Sequence, residues 1–260
     1  MSAPTDMPIR DAATVVLLRD GTNGIETWML TRVREMAFAA GMTVFPGGRV
    51  EDSDGDLPFA ESADADIAEL AQRFGTEPDA ARKLIGAAVR ETFEETGVLL
   101  TTPPADLSAL RSDVEDGRVA FGDLLREHGL AVDGSGVRPW SRWVTPPGET
   151  RRYDTRFFVA ALPDGAQAQD VTTESMHAAW IGIDEALSLA RSGERRLLPP
   201  TIMTLASLES FATVDEALHA SEERVLEAIR PTITVDEAKG EITAALPDGT
   251  SVILPTSMFR

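Results

Sequence analysis

The chain reads as an α/β protein, and three observations lead there. Apolar runs of β type recur at 12–19, 26–31, 141–145, 153–162 and 178–183. Helical patterns are interleaved with them, above all the segment from 78 to 96. Between the first strands and that helix stands Pro46-Gly47-Gly48, a tight bend whose missing side chains let a ligand approach the backbone.

Taken in order, residues 1–10 form a leader. The runs 12–19 and 26–31 flank the turn cluster Asp20-Gly21-Thr22-Asn23-Gly24 and predict a hairpin. Residues 49–76 are acidic and poor in large apolar groups apart from a short helix near 63–74, so they read as an insertion or lid rather than a core element. The next helix starts at about Pro78. Ile85, Val89, Thr92 and Thr96 recur on its packing side, Gly97 ends it, and 98–100 reads as the start of a buried strand. A Pro-bearing loop at 101–106 leads into one or two helices over 107–129, including 121–128, and 133–136 is another loop. Asp184 is the expected N-cap of a helix through Arg191, and 201–211 with 214–229 read as a helical pair. A terminal hairpin, 241–246 and 251–254, closes around Pro247-Asp248-Gly249-Thr250.

Composition narrows the function classes. In 260 residues, 43 acidic and 24 basic side chains give a net charge of −19, which disfavours a nucleic-acid groove or an anionic membrane as partner. There is no cysteine, so disulfides, thiolate metal sites and cysteine nucleophiles are excluded. No apolar run approaches the ~20 residues that span a bilayer, and the start lacks the layout of a signal peptide. The expectation is a soluble, cytoplasmic protein. His128, His177 and His219 are scattered without ligand spacing, and the four tryptophans read as core or strand packing, or, for one near the cleft, as a surface for stacking a base.

The chemistry concentrates in Arg90-Glu91-Thr92-Phe93-Glu94-Glu95-Thr96-Gly97-Val98. In a helix Glu91, Glu94 and Glu95 fall at i, i+3 and i+4 and stack three carboxylates on one face, where they repel one another. A cation offsets that repulsion, and oxygen-only ligation suits Mg²⁺ or Mn²⁺ shared with substrate phosphates. Arg90, four residues before Glu94, is placed to brace it.

With Gly48, this stretch resembles the Nudix hydrolase box: glycine, five residues, glutamate, seven residues, then Arg-Glu-U-x-Glu-Glu-x-Gly-U, with U a bulky apolar residue. The second half matches with threonine at the first U. In the first half Asp54 stands where the glutamate belongs, and 35 residues separate it from Arg90, an insertion of 28. An interrupted box is similar to that of the peroxisomal coenzyme A diphosphatases. So are Arg32 before Phe38-Ala39-Ala40-Gly41-Met42-Thr43-Val44-Phe45-Pro46-Gly47-Gly48, Trp143-Val144-Thr145-Pro146, the run from Arg151 to Phe158, Glu174 six before Trp180, and Leu197-Leu198-Pro199-Pro200-Thr201. The likeness spans roughly 10–210. Where the coenzyme A signature has a second arginine, this chain has Ala37.

The resemblance implies a Nudix-type α/β/α sandwich around a mixed sheet, over 11–212, with an insertion at 49–76 and a C-terminal helix and hairpin extension, 213–260, packed on it. It implies hydrolysis of the pyrophosphate bond of a nucleoside diphosphate linked to a moiety X, coenzyme A or acyl-coenzyme A being the suspected substrate. Glu94 and Glu95 are the expected metal ligands, Glu91 a third ligand or the base, the Gly48 carbonyl a backbone ligand, and Arg90 the residue that orients the glutamates. Arg32, Gly47, Arg151 and Arg152 are candidates for substrate phosphates, and Asp54 and Glu174 for further roles at the site. The alternatives are a non-catalytic Nudix-fold nucleotide-binding or regulatory module and, for the insertion, a subunit contact in a homodimer.

Overall fold

A computed structural model describes residues 7–32, 41–170 and 175–255. In chain order the elements are β1 (Ile9–Gly21), β2 (Gly24–Arg32), β3 (Thr43–Val44), β4 (Gly47–Arg49), α1 (Ala63–Phe74), α2 (Pro78–Thr96), β5 (Thr101–Thr102), α3 (Arg111–Glu115), α4 (Phe121–Glu127), β6 (Ala131–Val132), β7 (Arg138–Val144), β8 (Arg152–Ala161), β9 (Ser175–Gly182), α5 (Ile183–Ser192), α6 (Pro199–Leu208), α7 (Val214–Ser221), β10 (Ala228–Ile229), β11 (Thr232–Asp236), β12 (Glu241–Ala245) and β13 (Ser251–Pro255).

β1 organises the sheet. Both of its faces are apolar, Ala13, Val15 and Leu17 on one and Val16 and Leu18 on the other, so it is stable only when covered on both sides. It lies in the middle of a mixed sheet of order β10-β7-β8-β1-β2-β3, with β4 also on β1 and β9 also on β2. β8 runs parallel to it from Ile9↔Arg152 to Leu18↔Ala161. The predicted hairpin forms, antiparallel, from Leu18↔Thr27 to Gly21↔Gly24. Residues of α1, α2, α3 and α4 fill the core on one face and residues of α5, α6 and α7 the core on the other, which is the α/β/α sandwich expected.

α2 is the longest helix, with Pro78 at its start and Gly97, at φ 76°, closing it by donating to the Phe93 carbonyl at 2.8 Å. Thr92, an imperfect apolar residue of the box by sequence, and Thr96, on the same packing side, are fully buried. Their hydroxyls donate to Ala88 O (2.7 Å) and Thr92 O (2.6 Å), so neither leaves a polar group unsatisfied.

Five sequence expectations change. The segment 63–74 is a core element and not a lid: Ala63, Ile67, Leu70, Ala71 and Phe74 form one buried stripe, and Phe74 meets Phe158 edge to face at 6.1 Å. The helix expected over 214–229 ends at Ser221, because Arg224 lies over Trp140 and Leu226 enters the first core, drawing the chain onto β7 as β10. The C-terminal hairpin gains a third strand, β11, whose alternating Thr-Ile-Thr-Val pairs with β12. Residues 98–100 are buried but extended into strand only at Thr101, and Gly182 rather than Asp184 caps α5.

Candidate active site

β4 and the last turns of α2 assemble the site. Gly47 and Gly48 pair with Thr14 and Ala13 of β1, so the bend is held by the central strand. A side chain on either glycine has no room. A Cβ at Gly47, where φ is 155°, would lie 2.4 Å from the Ala13 carbonyl oxygen, and one at Gly48 would lie 2.3 Å from a Glu91 carboxylate oxygen. That close approach lets Gly47 donate its N–H to Glu95 Oε2 at 2.8 Å.

Arg90 is the hub, and all five of its N–H donors are used. Nε and Nη2 grip both oxygens of Asp54 (2.7 and 3.1 Å), Nη2 also donates to the Arg49 carbonyl (2.9 Å), and Nη1 is shared between Glu91 (2.9 Å) and Glu94 (3.1 Å). Asp54 is wholly buried, and its second oxygen also accepts from the Glu51 N–H at 2.7 Å. Asp54, at the position where the resemblance expects a glutamate, is therefore a counterion of Arg90. The structure thus brings Gly47, Gly48, Asp54, Arg90, Glu91, Glu94 and Glu95 together.

Three carboxylates meet one guanidinium here, and the balance shows in the acids. Burial pushes Glu91 up, against the pull of Arg90. Burial also pushes Glu94 up to about 7, with Arg90 opposing and the charge of Glu91 adding to the rise. Burial works against the charge on Arg90 itself, but the hydrogen bond to Asp54 and the charges of Glu91, Asp54 and Glu94 hold it protonated well above its ordinary range. Among the described residues no three acidic or histidine side chains converge on one point, since Glu91 and Glu94 lean on Arg90 and Glu95 on Gly47. The donor set nevertheless fits a hard divalent cation: oxygen donors only, from one helix turn, half-buried and short of positive charge.

Two of the other candidates lie further along the sheet. Arg151 is an exposed bend residue, and Arg152 starts β8 and donates to the Thr145 carbonyl at 3.2 Å. Arg152 is opposite Ile9 while Gly48 is opposite Ala13, about 13 Å further along the strand. Arg32 closes β2, but its side chain, like Glu174 and the run 33–40, lies outside the described residues. Two cavities, about 340 Å³ beside Arg138 and His219 and about 660 Å³ between Arg10, Arg49 and Lys83, are lined by none of the three glutamates.

Two residues at the site have no obvious signal in the sequence. Arg111 is buried and donates to the Glu94 carbonyl (2.7 Å) and to Glu115 (2.7 Å), tying down the end of α2. Gly86, in the middle of α2, packs against the backbone of Asp54, and only its being a glycine inside a helix marks it out.

The chain is similar to known proteins over most of its length. The family model of the NUDT19 Nudix domain matches residues 76–208, about half of the chain. The acyl-coenzyme A diphosphatase NUDT19 of Gallus gallus is 27% identical over 306 positions, covering 95% of this chain and 78% of that protein. Its Homo sapiens counterpart is 26% identical over 279 positions, covering 91% and 74%. A crystal structure of a NUDIX hydrolase from Alicyclobacillus acidocaldarius superposes with a TM-score of 0.68 at 32% identity, covering 84% of this chain and 97% of that one.

Proposed function

The chain belongs to the Nudix hydrolase family, and from that premise we propose that it is a divalent-metal-dependent pyrophosphohydrolase of a nucleoside diphosphate linked to a moiety X, with coenzyme A or its acyl thioesters as X-bearing substrate. The observation that carries this reading is the cluster in which Glu91 and Glu94 lie on Arg90, Glu95 lies on the Gly47 N–H, and Gly48 packs against Glu91. The names of the relatives over nearly the whole chain support the substrate class.

Glu94 and Glu95 are the side chains to hold Mg²⁺ or Mn²⁺, with the Gly48 carbonyl and Glu91 beside them. Bound there, the cation supplies charge neutralisation on the phosphoryl oxygens and a more acidic water. Glu91, buried against Gly48 and raised in pKa by that burial, is the group in this chain suited to receive a proton from water. Arg90 fixes Glu91 and Glu94 in position, while Gly47 and Gly48 let the β4 backbone pack directly against Glu95 and Glu91, with Gly47 also a candidate to meet a substrate phosphate. Arg32, Arg151 and Arg152 are the guanidinium groups offered to phosphates further along the substrate. The organisation that goes with this is a hydrolase domain over 11–212 and an extension over 213–260.

The test is a panel of dinucleotide, nucleotide-sugar and coenzyme A substrates with Mg²⁺ or Mn²⁺ and mass detection of both fragments. Wild type should cleave coenzyme A into two phosphate-bearing products, and Glu94→Gln and Glu95→Gln should each lose roughly 10²-fold or more in kcat. Undiminished turnover in both variants removes these residues from the mechanism, and a nucleotide held tightly but uncut in the presence of metal favours a binding module.

A further inference from the structure

We propose that Gly86 and Asp54 form a matched pair of positioning residues, through which the turn that opens the insertion sets the depth of the Arg90 guanidinium beneath the catalytic glutamates. The inference rests on the hydrolase reading above and adds to it two residues and a use for the insertion.

Glycine weakens a helix interior, and Gly86 sits in the middle of the helix that carries the glutamates. A Cβ there would lie 2.2 Å from the carbonyl oxygen of Asp54, 2.9 Å from its carbonyl carbon and 3.2 Å from its Cβ. Ordinary contact begins at roughly 3.5 Å, and backbone atoms cannot rotate out of the way. The missing methyl therefore lets the 52–56 turn sit about 1 Å closer to α2 than alanine would allow.

That extra closeness has a specific use. The resemblance calls for glutamate at position 54, and aspartate is shorter by one C–C bond, about 1.5 Å. With the backbone drawn in against Gly86, the short carboxylate still reaches Arg90 with both oxygens, at 2.7 and 3.1 Å. Gly86 and Arg90 are one helical turn apart on the same face, so the glycine sets the distance at the place where the guanidinium needs it. The rest of the turn is held through its backbone and first side chain: Arg82 donates to Gly55 O (3.1 Å), Arg126 to Asp56 O (2.6 Å), and Lys83 pairs with Asp52 (2.5 Å). Held in this way, the turn fixes Arg90, and Arg90 Nη1 in turn holds Glu91 and Glu94.

Matching predicts mutual rescue. Gly86→Ala pushes the turn out and leaves Asp54 short, whereas Asp54→Glu overreaches in the native seat. Each single variant should lower kcat for coenzyme A with Mn²⁺ by about 10- to 100-fold with little change in KM. Gly86→Ala with Asp54→Glu combines the retreat with the longer arm, and should recover to within several-fold of wild type. A second readout is independent of turnover: in ¹⁵N-arginine spectra the Arg90 Nε–H should be protected from exchange in wild type, exposed in Gly86→Ala and protected again in the double variant. Should Gly86→Ala fail to fold, Asp54→Asn keeps the shape while removing the charge, and should show the same fall in kcat and the same loss of protection. A double variant no better than the two losses multiplied, or Gly86→Ala or Asp54→Asn at wild-type kcat, overturns the pairing. A wild type that cleaves no diphosphate, while the exchange pattern follows the prediction, overturns the hydrolase reading and leaves the geometry of the brace standing.

Discussion

Glu94 carries the tension of this site most directly. Its pKa rises to about 7 because burial penalises the carboxylate more than Arg90 rewards it, so ionising Glu94 costs the folded state. The sign follows: an acid whose folded pKa lies above its unfolded value binds its proton more tightly in the native state, and stability is lost as pH rises from about 4.5 through 7. The full cost is on the order of 3 kcal/mol. In EDTA, wild type should lose on the order of 2 kcal/mol more unfolding free energy between about pH 5 and pH 8 than Glu94→Gln does. Equal losses, measured by urea titration, would mean that this carboxylate is not under strain. Arg90 explains why the cluster tolerates the strain at all, since each of its donors is used and a lysine could not divide itself among Asp54, Glu91, Glu94 and the Arg49 carbonyl.

At the scale of elements, α1 decides what the insertion is. Its apolar stripe enters the same core as α2, with Phe74 only 3% exposed against Phe158. Phe74→Ala should therefore cost about 3–5 kcal/mol in thermal or chemical unfolding, whereas loosening an exposed lid would stay within about 0.5 kcal/mol. The stripe at Ile67, Leu70, Ala71 and Phe74 is present in the sequence, but the acidic residues around it mask its meaning. The helix 78–96 and the first hairpin were readable because periodicity, Pro78, Gly97 and the turn cluster act within a few residues of one another. Asp54 with Arg90 was not readable to the same degree. They are 36 residues apart, and only the folded turn, seated on Gly86, brings them within hydrogen-bond reach. The early end of α7 is likewise tertiary, set by Arg224 over Trp140, and no local signal foretells it.

For the molecule as a whole, a net charge of −19 attracts cations everywhere, so the claim that one place holds a divalent ion has to be separated from a diffuse cloud. Ionic strength makes the separation, because at about 0.15 M the Debye length is about 8 Å and scattered surface carboxylates are largely screened, while a half-buried cluster is screened much less. Among the described residues no helix is long and apolar enough to cross a membrane, and the sandwich leaves the β4–α2 corner as the place where carboxylates crowd most densely around one guanidinium. The most direct measurement is a Mn²⁺ titration followed by electron paramagnetic resonance at that ionic strength, on wild type and on the Glu94→Gln/Glu95→Gln double variant. Saturable, stoichiometric binding in wild type that disappears in the folded double variant is the predicted result. Identical binding curves for the two proteins would contradict it.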